Sequence, residues 1–75
     1  MLSVNEVKSK LQAIEYGQQF VVVFNKVDGT ERKMKCWMEP PTEEIGTKPY
    51  VPVHDVDKDD AYRSFRLDSV VSITS

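Results

Sequence analysis

Four side chains near the C-terminal end of the chain could form one binding surface: His54, Tyr62, Ser64 and Arg66. Alternate residues of a β-strand point to the same face, so the last three would share a face. A neighbouring paired strand would bring the imidazole beside them. Such a group suits a phosphate, a carboxylate or a nucleobase. A solvated strand face that binds nothing is the alternative interpretation.

A second candidate surface lies on an earlier stretch, where Lys33, Lys35 and Trp37 alternate along the chain. These positions would share one face of a strand. The set forms an aromatic and basic surface that could contribute to binding nucleic acid or a nucleotide-like ligand. Lysine stems that only cover the rim of a core are the alternative.

No arrangement of residues predicts catalysis. Cys36 and His54 are the only pair in which a base could activate a nucleophile, and no third residue gives a recognisable orienting motif. Cys36 stands mid-strand between apolar neighbours and is predicted to be a small core residue. We therefore predict that the protein is not an enzyme.

Two short motifs resemble ion-binding loops, but both lack required residues. Three aspartates at alternate positions of residues 55–59 match the opening spacing of a helix-loop-helix calcium site. That site needs glycine at its sixth position and glutamate at its twelfth, where this chain has Asp60 and Arg66. Residues 46–48 lack the earlier glycine and the following helix of a phosphate-binding loop. We predict no metal site and no cofactor.

One helix is predicted to precede the strands. Residues 2–16 have an amphipathic pattern, and Ser3 with Glu6 forms a capping box at the start. The apolar stripe of this helix consists of Val4, Val7, Leu11 and Ile14. The stripe either caps an open end of the sheet or grips a partner protein.

A β-hairpin is predicted over residues 18–38, because strand-forming residues precede the turn signal Asp28-Gly29. A two-residue turn there pairs Val23 with Met34. The opposite face would then carry Phe20, Val22, Phe24, Lys33, Lys35 and Trp37. A strand that is apolar on both faces suits a central or strongly curved position in a barrel.

A second hairpin and a final strand are predicted over residues 50–73. Pairing Val53 with Phe65 collects the apolar side chains on one buried face. The same register sets Asp55 opposite Arg63 as an ion pair. The segment between the hairpins, residues 39–49, contains three prolines and is predicted to be a loop.

Length and composition limit the architecture and the partners. A chain of 75 residues makes one domain, here a helix followed by a barrel over residues 18–74, with a barely sufficient core. That size favours a compact barrel or a homo-oligomer over an open sheet. Net charge of −2 argues against indiscriminate coating of nucleic acid. One cysteine indicates a reducing, cytoplasmic compartment, and no apolar run reaches the ~20 residues of a membrane span.

Two separated blocks resemble the small WYL-like family of phage and bacterial proteins. The first block is Val23-Phe24-x-Lys26-x-Asp28-Gly29-Thr30-x-Arg32-x-Met34, and the second is Val53-x-Asp55-Val56 followed by Tyr62-Arg63-Ser64-Phe65-Arg66-Leu67-Asp68-Ser69-Val70. The resemblance covers roughly residues 20–73. It implies an N-terminal helix and a strongly bent, five-stranded antiparallel barrel of the SH3-like or Sm-like type. It also implies a regulatory ligand-sensing or nucleic-acid-binding module, with Arg63 and Arg66 as binding residues.

Two functional hypotheses follow. In the first, a phage-encoded regulatory module in the host cytoplasm binds nucleic acid or a nucleotide-like ligand. Its binding residues would be His54, Tyr62, Arg63, Arg66, Lys33, Lys35 and Trp37. In the second, the chain is a protein-interaction module, such as a phage inhibitor of a host protein, that uses a strand edge or the helix stripe. A steep dependence on salt would favour the first hypothesis.

Overall fold

A computed structural model describes residues 1–40 and 49–75 of the chain. Its elements are α1 (Val4–Gln12), β1 (Phe20–Asn25), β2 (Glu31–Trp37), β3 (Tyr50–Asp55), β4 (Ala61–Arg66) and β5 (Val70–Thr74), with 3₁₀ turns at Val56–Lys58 and Leu67–Ser69. The predicted mainly β fold with an N-terminal helix is confirmed. The predicted loop over residues 39–49, with its 46–48 motif, lies mostly outside the described residues. Within the described ranges, no helix is long and apolar enough to cross a membrane.

Helix α1 begins with the predicted capping box. The Ser3 hydroxyl accepts from the Glu6 N–H at 3.1 Å, and the Glu6 carboxylate accepts from the Ser3 N–H at 3.3 Å. These bonds satisfy backbone donors that have no partner within the helix. The helix ends at Gln12, earlier than the predicted end at residue 16. Beyond the helix the chain turns, and Gly17, with a left-handed φ of 87°, donates its N–H to the Met38 carbonyl at 2.8 Å.

The apolar stripe of α1 packs against the core of the sheet. Three of its four predicted residues, Val7, Leu11 and Ile14, are buried. The Leu2 N–H donates to the Val70 carbonyl at 3.0 Å, which ties the start of the chain to β5. The stripe therefore caps the sheet, and the hypothesis that it is exposed to grip a partner is wrong.

The five strands form one antiparallel sheet in the order β4-β3-β2-β1-β5. Across the described residues β4 pairs only with β3, and β5 only with β1, so the sheet does not close into a barrel. The sheet is nevertheless strongly curved. Phe24 of β1 and Phe65 of β4 lie on strands that are not neighbours, yet their ring centroids are 6.0 Å apart. Curvature places the core on the concave face.

The turn between β1 and β2 has three residues rather than the predicted two. The Gly29 N–H donates to the Lys26 carbonyl at 2.9 Å, and the Lys26 N–H donates to the Thr30 carbonyl at 2.7 Å. Gly29 takes a left-handed φ of 89°, as the bulge of such a loop requires. The Asp28 carboxylate fixes the turn by accepting from the Thr30 N–H at 3.0 Å.

The longer turn shifts the β1–β2 register by one residue and corrects the assignment of faces. Val22, not Val23, lies opposite Met34. A shift of one residue moves every side chain of a strand to the other face. The buried face carries Phe20, Val22, Met34 and Cys36, and the outward face carries Val21, Val23, Lys33, Lys35 and Trp37. The predicted grouping of Phe20, Val22 and Phe24 with the lysines is wrong.

The β3–β4 hairpin is shifted by two residues from the predicted register. Val53 lies opposite Arg63 instead of Phe65, and Asp55 lies opposite Ala61. A shift of two residues leaves every side chain on its predicted face, so Phe65 is buried as expected. The predicted ion pair between Asp55 and Arg63 is wrong.

The loop between β3 and β4 is organised around Asp55. Its side chain is 1% exposed, and one oxygen accepts from Arg32 Nη2 at 2.8 Å. The other oxygen accepts from the Asp57 N–H at 3.1 Å and caps the 3₁₀ turn. Asp59 and Asp60 follow with left-handed φ angles of 54° and 59°, which are uncommon for residues other than glycine. This five-residue loop, residues 56–60, sets the hairpin register.

Candidate nucleic-acid interface

A row of three aromatic rings crosses the outward face of the sheet on neighbouring strands. Trp37 of β2 lies opposite His54 of β3, and His54 lies opposite Tyr62 of β4. The Trp37 and His54 rings stack, with centroids 4.2 Å apart and planes at 17°. Tyr62 meets His54 edge to face, with centroids 5.5 Å apart and planes at 84°. We name these three residues the aromatic row.

Two acidic residues contact the Trp37 and His54 rings of the aromatic row. Trp37 Nε1 donates to Asp60 Oδ1 at 3.0 Å. Nδ1 of His54 lies 2.9 Å from the Asp60 carbonyl oxygen, and Nε2 lies 2.8 Å from Oε1 of Glu39. The Glu39 contact is close but lacks the alignment of a hydrogen bond, so its contribution is electrostatic. Among the described residues, Nε2 has no aligned hydrogen-bond partner.

His54 is the titratable centre of the site. Its side chain is 16% exposed, covered by the two neighbouring rings. The Asp60 carbonyl raises the pKa of His54 above the usual 6.5, and the negative charges of Glu39 and Asp60 act in the same direction. Partial burial is the second-largest effect and lowers the pKa, but the Asp60 carbonyl outweighs it. The site therefore favours the protonated imidazole more than water does.

The ends of the aromatic row remain accessible. Tyr62 is 69% exposed, and Trp37 is partly exposed. An exposed phenol ring and a partly exposed indole on one face of the sheet form a platform on which a planar group can stack. Nucleobases are the planar groups that such platforms commonly bind.

Lys33 and Lys35 share the outward face with Trp37, as predicted, and both are exposed. Lys35 is two residues from Trp37 on the same strand, which places its backbone about 7 Å from the row. The two side chains that flank the lysines on β1 are Val21 and Val23. Cationic groups therefore stand next to the stacking platform.

Arg66 points to the outward face but lies away from the aromatic row. It is opposite Tyr50 and four residues from Tyr62, or about 13 Å along β4. Its Nε and Nη2 donate to the two carboxylate oxygens of Asp68 at 3.0 and 3.2 Å, which raises the pKa of Arg66 and lowers that of Asp68. The expected compact group does not form, because only Tyr62 and His54 meet.

Arg63 lies on the other face of β4, opposite Val53, and is exposed. Asp55 does not bind it, because that carboxylate is taken by Arg32. The two arginines that the family resemblance singles out therefore point to opposite faces, as alternation predicts. Arg63 adds nothing to the aromatic row.

Cys36 is buried on the concave face, as predicted for a small core residue. Burial raises the pKa of its thiol to about 12, and the nearby Asp55 carboxylate adds to the effect. The thiol is therefore protonated at neutral pH and faces away from His54. These two residues cannot act as a nucleophile and its base.

Glu39 and Asp60 belong to the site but were not singled out from the sequence. Each is an ordinary acidic residue beside a proline or a run of aspartates. Asp60 meets Trp37 across 23 residues of chain, so no local pattern announces the contact. Only the β2–β3 pairing could have identified it.

Comparison of the chain with family models, curated proteins and solved structures found no match. The resemblance to the WYL-like family stays a prediction. The function is therefore argued from the geometry of the site.

Proposed function

We propose that the protein is a non-enzymatic module that binds single-stranded nucleic acid on the outward face of its sheet. The aromatic row is the observation that carries the proposal, because Trp37 of β2 and Tyr62 of β4 offer ring surface on the two sides of His54 of β3. Stacking of a base on an aromatic side chain is worth ~1–3 kcal/mol and tolerates any base. Lys33 and Lys35 on the same face would contact the phosphates.

The fold supports a more specific proposal, in which the binding module is a small barrel with a regulatory role. The strand order and the contact between Phe24 and Phe65 fit a small SH3-like or Sm-like barrel whose open seam lies between β4 and β5. The resemblance to WYL-like proteins supports a regulatory role for a phage-encoded protein in the cytoplasm of its host. Weak net charge favours a local site over general coating.

Fluorescence anisotropy with a labelled oligothymidylate of about 12 nucleotides tests the proposal. Tyr62→Ala removes an exposed ring of the row and should weaken binding by ~1–3 kcal/mol. Lys35→Gln should weaken binding at low salt and reduce the salt slope by about one. Tyr50→Ala is the matched control, because Tyr50 is an exposed tyrosine on the same face but lies beside Arg66. Equal losses in the two tyrosine variants, or no binding at low salt, would contradict the proposal.

A protein partner is a second candidate, favoured by the free edge of β4. Within the described residues this strand pairs only with β3, so its other edge can accept an extended segment. Tyr62, Arg63 and Ser64 are exposed along it. Inhibition of a host protein by a phage protein is one function of this kind. A partner that stays bound after nuclease treatment and at high salt would favour this candidate.

A further inference from the structure

We infer that protonation of His54 regulates the aromatic row, so that the protein binds nucleic acid more tightly as pH falls. The inference rests on the proposed function, since it concerns the affinity of the same site. It adds a regulation of binding by pH that no sequence motif indicates. The observations that carry it are the two oxygen contacts of the imidazole and its stacking on Trp37.

Both ring nitrogens of His54 face oxygen atoms. The Asp60 carbonyl, 2.9 Å from Nδ1, can only accept, so Nδ1 must carry a proton. In the neutral ring Nε2 then carries no proton, and this electron-rich nitrogen would lie 2.8 Å from Oε1 of the Glu39 carboxylate. The imidazolium carries a proton on each nitrogen and makes both contacts favourable. The two oxygen contacts therefore favour the protonated ring.

Stacking on Trp37 favours the same state. The rings are nearly parallel at 4.2 Å, which places a protonated imidazole over the indole face. A cation in this position is attracted by the ring's quadrupole. Asp60 ties the pair together, since its side chain accepts from Trp37 and its carbonyl faces His54. Protonation thus tightens the contacts that fix the platform.

The charges around His54 determine the direction of the effect on affinity. Two carboxylates face it, Glu39 from the end of β2 and Asp60 from the β3–β4 loop. Tyr62 of β4 contributes a neutral phenol, and Lys35 lies diagonally across on β2. With a neutral imidazole, the two acidic groups repel a phosphate chain on the platform. Protonation cancels one of those charges. Removing one negative charge about 7 Å from a phosphate in water should raise the affinity about threefold.

Histidine is suited to such a switch because its ordinary pKa of about 6.5 lies close to the pH of cells. The contacts at this site raise the pKa of His54 above that ordinary value.

The switch can be tested first without nucleic acid. His54 is the only histidine and Trp37 the only tryptophan of the chain, so ring NMR shifts and indole fluorescence report on these two residues without assignment. We expect the imidazole to titrate above pH 6.5 and the fluorescence to change at the same midpoint. Glu39→Gln, at an exposed position, should lower the midpoint. A wild-type midpoint at or below the usual value overturns the inference.

Oligothymidylate binding from about pH 5.5 to about pH 8.5 tests the consequence. Thymine and phosphodiester groups do not titrate there, so a change in affinity reports on the protein. Wild type should bind about threefold more tightly at the acidic end, and His54→Gln should bind equally across the range. Tyr50→Ala should keep the wild-type dependence.

Two outcomes separate the inference from the proposed function. If His54→Gln keeps the wild-type pH dependence, the inference is overturned while nucleic-acid binding stands. If no variant binds at any pH although His54 titrates as expected, the proposed function is wrong, and the affinity effect falls with it. Glu39→Gln serves as the second variant should His54→Gln fail to fold, and it should move the pH midpoint of binding downward.

Discussion

At the residue scale, His54 connects parts of the molecule that are distant in sequence. It contacts Trp37 of β2, Tyr62 of β4, Glu39 and the backbone of Asp60. A single imidazole therefore links two strands and a loop. Because the linkage favours the charged ring, it also makes the fold sensitive to pH.

We predict that the charge of His54 stabilises the fold at acidic pH and that this contribution is lost at alkaline pH. Its pKa is raised in the folded protein, so its contribution is fully present below about pH 6.5 and is lost as pH rises through the folded value. Thermal unfolding of wild type and His54→Gln across this range measures the effect. The difference in Tm should be larger at acidic pH. A constant difference would show that the ring acts by packing alone.

We predict that Arg32, and not Arg63, is the partner of Asp55. Arg32→Ala leaves a carboxylate that is 1% exposed without its cation, and should cost about 2 kcal/mol. The cost falls below the usual range for buried pairs because Arg32 is 31% exposed and part of its interaction is screened by solvent. Arg63→Ala is the control and should change the free energy of unfolding by less than about 0.5 kcal/mol. Urea denaturation of both variants decides between the two partners.

At the element scale, the loops set the registers of both hairpins. The β1–β2 turn has three residues between its hydrogen-bonded ends, and the extra residue moves Val22 to the core. The β3–β4 loop spans residues 56–60 and ends with Asp59 and Asp60, whose backbone φ angles are in the left-handed region. Each loop thus decides which side chains meet across the sheet.

We predict that Asp59→Gly stabilises the protein by up to about 1 kcal/mol. Asp59 has a φ of 54°, a region in which the Cβ atom of any other residue is strained and glycine is not. Lys58→Gly is the control, because Lys58 lies in the preceding 3₁₀ turn and gains nothing from the added freedom. Chemical denaturation should show a gain for the first variant and a loss for the second. A loss in both would mean that the Asp59 side chain itself holds the loop.

At the scale of the whole molecule, one core is shared by the helix and all five strands. The helix stripe, the inner faces of β1 and β2 and the turn after β4 contribute to the same buried cluster. The edge strands β4 and β5 do not pair in the described part of the chain. The two edges of the sheet are therefore held near each other by side-chain packing rather than by backbone hydrogen bonds. The stacking of Phe65 of β4 on Phe24 of β1 is one such contact.

We predict that Phe65→Ala costs ~3–5 kcal/mol, enough to unfold a domain of this size. Phe65 is 3% exposed and joins β4 to β1, so its removal leaves a cavity and breaks the contact across the sheet. Tyr62→Ala on the same strand is the control and should stay folded, since Tyr62 is largely exposed. Circular dichroism and thermal melting compare the two. A cooperative melt of Phe65→Ala near the wild-type Tm would contradict this view of the core.

Local sequence signals determined the elements of this protein. The capping box at Ser3 and Glu6 required only a hydroxyl and a carboxylate three residues apart. Alternation predicted that Phe65 and Leu67 are buried and that Tyr62 and Arg66 face outward. These signals act between residues close in sequence. The shift of two residues in the β3–β4 register leaves each side chain on its predicted face.

Only the tertiary structure decided which residues meet. The aromatic row depends on the β2–β3 pairing, which joins Trp37 to His54 across the segment between the hairpins. The partner of Asp55 is Arg32, from a strand that no local pattern pairs with it. Each loop adds or removes residues between paired strands, and a difference of one residue reverses every face. Contacts between distant residues therefore depend on loop geometry and on packing of the whole sheet, which alternation along single strands does not encode.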